Sequence, residues 1–250
     1  MSKRNEINYV EKMEAVLAVP RDEVSRSLLG KPFNDPRRGS YFIDIGQLFQ
    51  LLPPPPARIL DLGVGPGWTS RLRALCGYDV VGRDCAPRMI ELAEMNGRGV
   101  PNLMFQARDY EDSVADLGTF DAAVIYDALH HSLDEARVIR NVYSMLVPGG
   151  LLITMEPGLG HSTSPVALEA VERFGTTEKD MEFDRQRQLM ASAGFSDVKQ
   201  FYRLSELPLE RVDTLAGRDL QSRHFSALSL HTLEQGFTSI VVAAKAASKS

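Results

Sequence analysis

Residues Arg58 to Ser70 read RILDLGVGPGWTS: an apolar strand, a turn carrying Gly63, Gly65 and Gly67, then the start of an amphipathic helix. Glycine lets a backbone turn sharply and approach a ligand, and the free amides opening the next helix face whatever sits there. A dinucleotide turn would place its third glycine at position 68, which holds the bulky Trp68. That spacing argues against pyrophosphate on the helix and favours an adenosine ligand without phosphates. Asp84 ends the next expected strand, where a carboxylate can accept both hydroxyl protons of a ribose. Asp61, inside the first strand, needs a polar or charged partner if buried, and is expected to order the turn or to attract a cationic ligand. Asp109 and Tyr110 follow a third strand and are placed to bond and pack against adenine, with Cys85 on its other face.

Outward from this turn, short apolar runs alternate with amphipathic stretches, the pattern of a parallel sheet covered by helices on both faces. Strands are expected at Arg58 to Leu62, Tyr78 to Gly82, Leu103 to Ala107, Phe120 to Tyr126, Leu151 to Met155, Val198 to Leu204 and Phe237 to Ala244. The helix after the turn is expected to bury Trp68, Leu72, Leu75 and Cys76, and a later one Val138, Val142, Met145 and Leu146. Pro148, Gly149 and Gly150 should end that helix and turn the chain into the next strand. Helical pieces occupy Ile7 to Leu29, broken at Pro20. Another runs from Ser40 to Leu52 with Phe42, Ile45, Phe49 and Leu52 on one face, stopped by Pro53 to Pro56. Residues 1–52 are therefore read as a helical N-terminal cap or lid and 53–250 as the main domain. Within it, the order loosens after Pro157, a helix spans Phe183 to Ala193, and a helical insertion lies at about 205–235.

The chain has 250 residues, 44% apolar and 24% charged, enough for one globular domain. With 28 basic against 33 acidic side chains its net charge is -5, and no basic cluster suited to nucleic acid stands out. No apolar run approaches the ~20 residues that span a bilayer, and the charged start lacks the apolar core of a secretory signal, so a cytoplasmic setting is expected. Cys76 and Cys85 lack ligand-spaced histidines and read as reduced thiols rather than a disulfide or metal site.

The chain resembles the class I S-adenosylmethionine-dependent methyltransferases. The matching signatures are LDLGVGPG, VVGRDCAPRMIELAE, QARDYED, FDAAVIYDALHH and LVPGGLLITMEPG, spanning about Arg58 to Gly158. The resemblance implies an α/β, Rossmann-like doubly wound sheet, mostly parallel with an antiparallel last strand. It implies S-adenosyl-L-methionine as cofactor and S-adenosyl-L-homocysteine as product. Gly63, Gly65 and Gly67 would pass the methionine part, Asp84 would hold the ribose, and Asp109 with Tyr110 would border the adenine. Asp61, Cys85 and Tyr126 complete the expected cofactor set. Val64, where small residues are usual, and Arg83 beside Asp84 depart from the pattern without removing a polar contact.

Methyl transfer requires a nucleophile held in line, water excluded, and a proton removed if the nucleophile carries one. Imidazole suits the last task, so the expected bases are His131, then His130, then Glu156, with Asp127 and His161 as further candidates. Tyr41 and Phe42 are the expected lid aromatics. The Asn/Asp-Pro-Pro-Tyr motif of enzymes methylating adenine or glutamine amide is absent, and Glu156–Pro157 replaces the Asp-Asn pair of magnesium-dependent catechol-type enzymes. These differences point to metal-independent transfer to a small molecule, at a hydroxyl oxygen. The stretch FGTTEKDM resembles methyltransferases encoded beside bacterial glycosyltransferases, suggesting a sugar hydroxyl, while Glu178, Lys179 and Asp180 read as a solvated loop. The alternatives are a non-catalytic cofactor-binding partner and an NAD-dependent Rossmann oxidoreductase, against which Trp68 speaks.

Overall fold

The computed structural model describes residues 3–18, 20–112, 117–206 and 239–247. In chain order the elements are α1 (Lys3–Ile7), α2 (Tyr9–Leu17), α3 (Arg21–Leu29), α4 (Arg38–Leu51), β1 (Arg58–Leu62), α5 (Trp68–Leu75), β2 (Asp79–Asp84), α6 (Pro87–Asn96) and β3 (Leu103–Ala107). There follow β4 (Phe120–Tyr126), α7 (Glu135–Met145), β5 (Leu146–Glu156), α8 (Pro165–Phe174), α9 (Phe183–Ala193), β6 (Ser196–Tyr202) and β7 (Ser239–Ala244). One seven-stranded sheet takes the order β3-β2-β1-β4-β5-β7-β6. Strands β1 to β5 pair in parallel, and β7 runs antiparallel to both β5 and β6. The architecture is the expected Rossmann-like one. The order reverses between β1 and β4, so their carboxyl ends bound the crevice in which open α/β sheets hold ligands. Ile59, Leu60, Ala122, Ala123, Val124, Leu152 and Ile153 are wholly buried in the middle of the sheet, because helices on both faces leave a parallel strand no wet side.

The N-terminal helices divide in two. Tyr41, Ile45 and Leu48 of α4 pack with Ile59, Trp68 and Val124 in one core cluster, whereas Val10, Val24 and Leu28 of α2 and α3 pack with Ala86, Met89 and Leu92. Among the described residues, no helix is long and apolar enough to cross a membrane.

Two helix faces differ from their expected orientation, each because a polar group overrides apolar spacing. In α4 the buried residues are Tyr41, Asp44, Ile45 and Leu48, while Phe42 is 44% exposed. The helix is turned so that Asp44 can meet Arg203 from beyond β6. In α5 the buried residues include Thr69, Ser70 and Arg73, while Leu75 and Cys76 face outward, because the inward face must satisfy Asp61. Helix α7 buries Val138, Val142 and Met145 as expected. It ends at Met145, and the chain is already extended at Leu146, so Pro148 to Gly150 lie in an irregular start of β5, where pairing slips between Phe120 and Ala122. Helix α8 was not expected, although its signals stand in the sequence: Ser164 caps it by accepting from Ala167 N, Pro165 opens it, and Gly175 ends it in the left-handed conformation. The expected insertion at about 205–235 lies almost wholly outside the described residues, as do Phe237 and Thr238 of the expected last strand.

Candidate active site

The glycine turn is built on a buried acid. Asp61 is 1% exposed, and its Oδ2 accepts from Ser70 Oγ at 2.6 Å, Thr69 Oγ1 at 3.2 Å and the guanidinium of Arg73, itself 1% exposed. Strand β1 is thereby tied to α5 across the turn. Gly63 N and Val64 N donate to Arg83 O on β2. The three glycines serve different ends. A Cβ on Gly63 would strike Ala128 Cβ at 2.2 Å and one on Gly67 would strike Ala93 and Phe105 at 2.7 Å, so both allow close packing. Gly65 has φ +52° and a Cβ there would meet nothing within 4 Å, so its backbone lines open space.

Asp84 faces that space from the end of β2, accepting from Gly65 N and Ala86 N at 2.9 Å each. Burial raises its pKa against these two amides, Lys3 acting in the same sense as the amides, and further donors from a ligand would favour the carboxylate. Beside it, burial and then Asp84 push the Cys85 thiol far up. Asp109 and Tyr110 border the same region: Tyr110 is buried and donates to Ala128 O at 3.1 Å. Lys3 of α1 pairs with Asp109 at 3.0 Å and Glu111 at 2.7 Å and lies 4.8 Å from the Tyr110 ring centroid. Tyr126 ends β4 and donates to Asp44 at 2.8 Å, with its ring 6.3 Å from Trp68, which in turn stands 5.6 Å from Tyr41. Of the expected lid aromatics, Tyr41 reaches this cluster. Phe42 packs instead on exposed Phe33.

The segment after β4 is gathered by Glu156, which is fully buried. Its Oε1 accepts from Ala128 N and Leu129 N at 3.0 and 2.8 Å, and its Oε2 from His130 N and His130 Nδ1 at 3.3 and 2.7 Å. Such a carboxylate anchors the loop. His130, also buried, is pulled down by burial, but Glu156 outweighs this and its pKa is raised. His131 is more open, its side chain 29% exposed, and its Nδ1 meets Thr177 O at 2.7 Å. A carbonyl only accepts, so Nδ1 carries the proton and Nε2 keeps its lone pair. Burial and then His130 lower the His131 pKa to about 4, which keeps the ring neutral.

Glu178 corrects the reading of its segment as a solvated loop. Its side chain is 6% exposed and accepts from His161 Nε2 at 2.9 Å and Thr176 Oγ1 at 2.8 Å. Lys179 bonds Ser132 O and Glu135, and Asp180 accepts from Gly160 N and Ser162 N. The charges are turned inward because each closes a loop. From the other side, Glu6 of α1 accepts from Thr177 N at 2.6 Å and Asn5 donates to Gly175 O at 2.9 Å. The N-terminal helices therefore touch both the Asp109 rim and the segment that holds His131.

A second network was not legible in the sequence. Arg203 donates to Asp44 and Asp127, and Asp44 also accepts from Tyr126 and Ser205. Asp127 leaves β4 with φ 47° and is held there by Arg203.

Residues 59–150 match the family model described as a methyltransferase domain. A ubiquinone biosynthesis O-methyltransferase of Xanthomonas campestris pv. campestris (strain B100) is 34% identical over 100 residues, 39% of this chain and 42% of that protein. The chain thus spans about two fifths of the length of the curated relatives it matches. Among solved structures, phosphoethanolamine N-methyltransferase 2 of Haemonchus contortus, in complex with phosphomonomethylethanolamine and S-adenosylhomocysteine, superposes with a TM-score of 0.63 at 17% identity, covering 94% of this chain and 59% of that one. The complex between the Haloferax volcanii Trm112 methyltransferase activator and a methyltransferase gives 0.62 at 16% identity, covering 89% and 97%.

Proposed function

We propose that the chain is a class I S-adenosylmethionine-dependent methyltransferase that methylates a hydroxyl oxygen of a small-molecule acceptor. The open space next to Gly65, with the Asp84 carboxylate beside it, supports a nucleoside ligand without phosphates. When bound, S-adenosyl-L-methionine supplies a methyl group on a sulfonium sulfur and leaves as S-adenosyl-L-homocysteine. Asp84 accepts the ribose hydroxyls, Asp109 and Tyr110 border the adenine with Cys85 opposite, and the Gly63 to Gly67 turn passes the remainder. Asp61 holds that turn in shape. Trp68, Tyr41 and Tyr126 keep water from the reacting end, and α1 to α4 act as the cover.

The observation that carries the hydroxyl reading is the bond between His131 Nδ1 and Thr177 O. It fixes the tautomer in which Nε2 takes a proton, and Glu178, 3.7 Å from the same ring, steadies the charge that results. Glu156 and His130 position this base. The proton route runs through protein side chains, in a cytoplasmic setting. The curated O-methyltransferase relatives support oxygen as the acceptor atom.

The test is incubation of the purified chain with methyl-labelled cofactor and fractionated metabolite extract. Label entering a base-stable methyl ether, with turnover falling in His131→Ala while cofactor affinity persists, supports the reading. Label entering amines, or an unaltered rate in the variant, overturns it.

A further inference from the structure

We propose that His130, His131 and Glu178, joined by His161, form a binding site for one divalent transition-metal ion of the zinc class. The ligating atoms of His130, His131 and Glu178 lie within 4.8 Å of one another. His130 Nε2 stands 3.6 Å from Glu178 Oε2 and His131 Nδ1 3.7 Å from Glu178 Oε1, while His161 Nε2 reaches the same carboxylate at 2.9 Å. Ligands at zinc bond lengths in a tetrahedron are separated by about 3.4 Å, so small adjustments bring these atoms onto one ion once His131 Nδ1 and His161 Nε2 release the protons they share with Thr177 O and Glu178.

Charge points the same way. Glu156 accepts three backbone amides and His130 Nδ1, which leaves His130 Nε2 turned to Glu178 Oε2 at 3.6 Å. An ion there takes the place of the Nε2 proton between ring and carboxylate, both on side chains 6% exposed. The outer contacts on two of the ligands are those that orient metal ligands: Glu156 on His130 and Thr176 Oγ1 on Glu178. His131 and His161, 29% and 22% exposed, give an entry path. Imidazoles with a single carboxylate select zinc-class ions over magnesium or calcium. The inference rests on this cluster alone, and an ion held by His131 and Glu178 takes both from the base role proposed above, so the loaded chain should turn over more slowly.

The test uses the full chain, stripped with chelator and titrated with zinc against a chromophoric indicator. The expected result is one ion per chain, with affinity falling on the order of tenfold or more in Glu178→Gln and in His161→Ala, and unchanged in Cys76→Ser, which removes an exposed thiol. Cobalt should give visible d–d bands without thiolate charge transfer. Because Glu178→Gln is nearly isosteric and His161 partly exposed, circular dichroism confirms that both variants fold. No zinc binding by the native chain, equal affinity in both variants, or a thiolate band from cobalt would overturn the proposal.

Discussion

Replacing Asp61 by alanine removes the acceptor shared by Arg73, Ser70 and Thr69 and leaves a guanidinium only 1% exposed without its carboxylate. Breaking a buried ion pair from one side destabilises by roughly 3–5 kcal/mol, because the remaining charge stays buried. For a chain of this size each kcal/mol lowers Tm by about 2–4 °C, so a fall of roughly 6–20 °C is expected. The double variant Asp61→Ala/Arg73→Met removes both charges and should recover most of the loss, since an apolar replacement of a buried pair is often near neutral. Calorimetric scans and urea titrations of the two variants, with Arg73→Met alone to complete the cycle, measure this directly. A single-variant loss below about 1 kcal/mol, the level of an exposed pair, would refute the reasoning. So would a double variant no better than Asp61→Ala, because either result means that the pair does not hold the turn against α5.

Asp84→Ala should weaken S-adenosylhomocysteine binding on the order of tenfold or more by calorimetry, the loss expected when charge-assisted bonds are removed. Unchanged affinity would take Asp84 out of the ribose role. At pH 8, iodoacetamide should label exposed Cys76 and spare Cys85, whose thiol burial and Asp84 hold in the protonated, unreactive form. Peptide mass spectrometry showing equal labelling would contradict that. His131→Ala should lower turnover and leave cofactor affinity intact, and the reverse pattern would assign the ring to the cofactor site.

What the sequence disclosed, and what it did not, follows from the range of the interactions. The Arg58 to Ser70 stretch was legible because strand, turn and helix are contiguous, and helix α9 matched its expected Phe183–Ala193 span because Gly194 stops it in the left-handed conformation. Local apolar spacing misjudged α4 and α5, since Asp44 is turned inward by Arg203, over 150 positions away, and α5 by the needs of Asp61. The histidine pair was visible as a pair. Its union with Glu178 and His161 was not, because those residues arrive on a segment whose only local mark was a charged run. Helix α8 was missed although a serine cap, a following proline and a closing glycine bracket it. There the signals were present, but only Ala167 of the helix is fully buried while Val166 and Leu168 are exposed, so its apolar residues do not mark a core face.

Cofactor binding as proposed requires a nucleoside lying over Gly65, and a bulky side chain placed there tests this most directly. A Cβ at Gly65 touches nothing in the protein, and a non-glycine residue in this left-handed conformation costs only about 1–2 kcal/mol, so Gly65→Leu should fold yet fill the cradle. In calorimetric titration with S-adenosylhomocysteine, the native chain should bind one equivalent and the folded variant none. Equal affinity in the two proteins, or no binding by the native chain, would contradict the account.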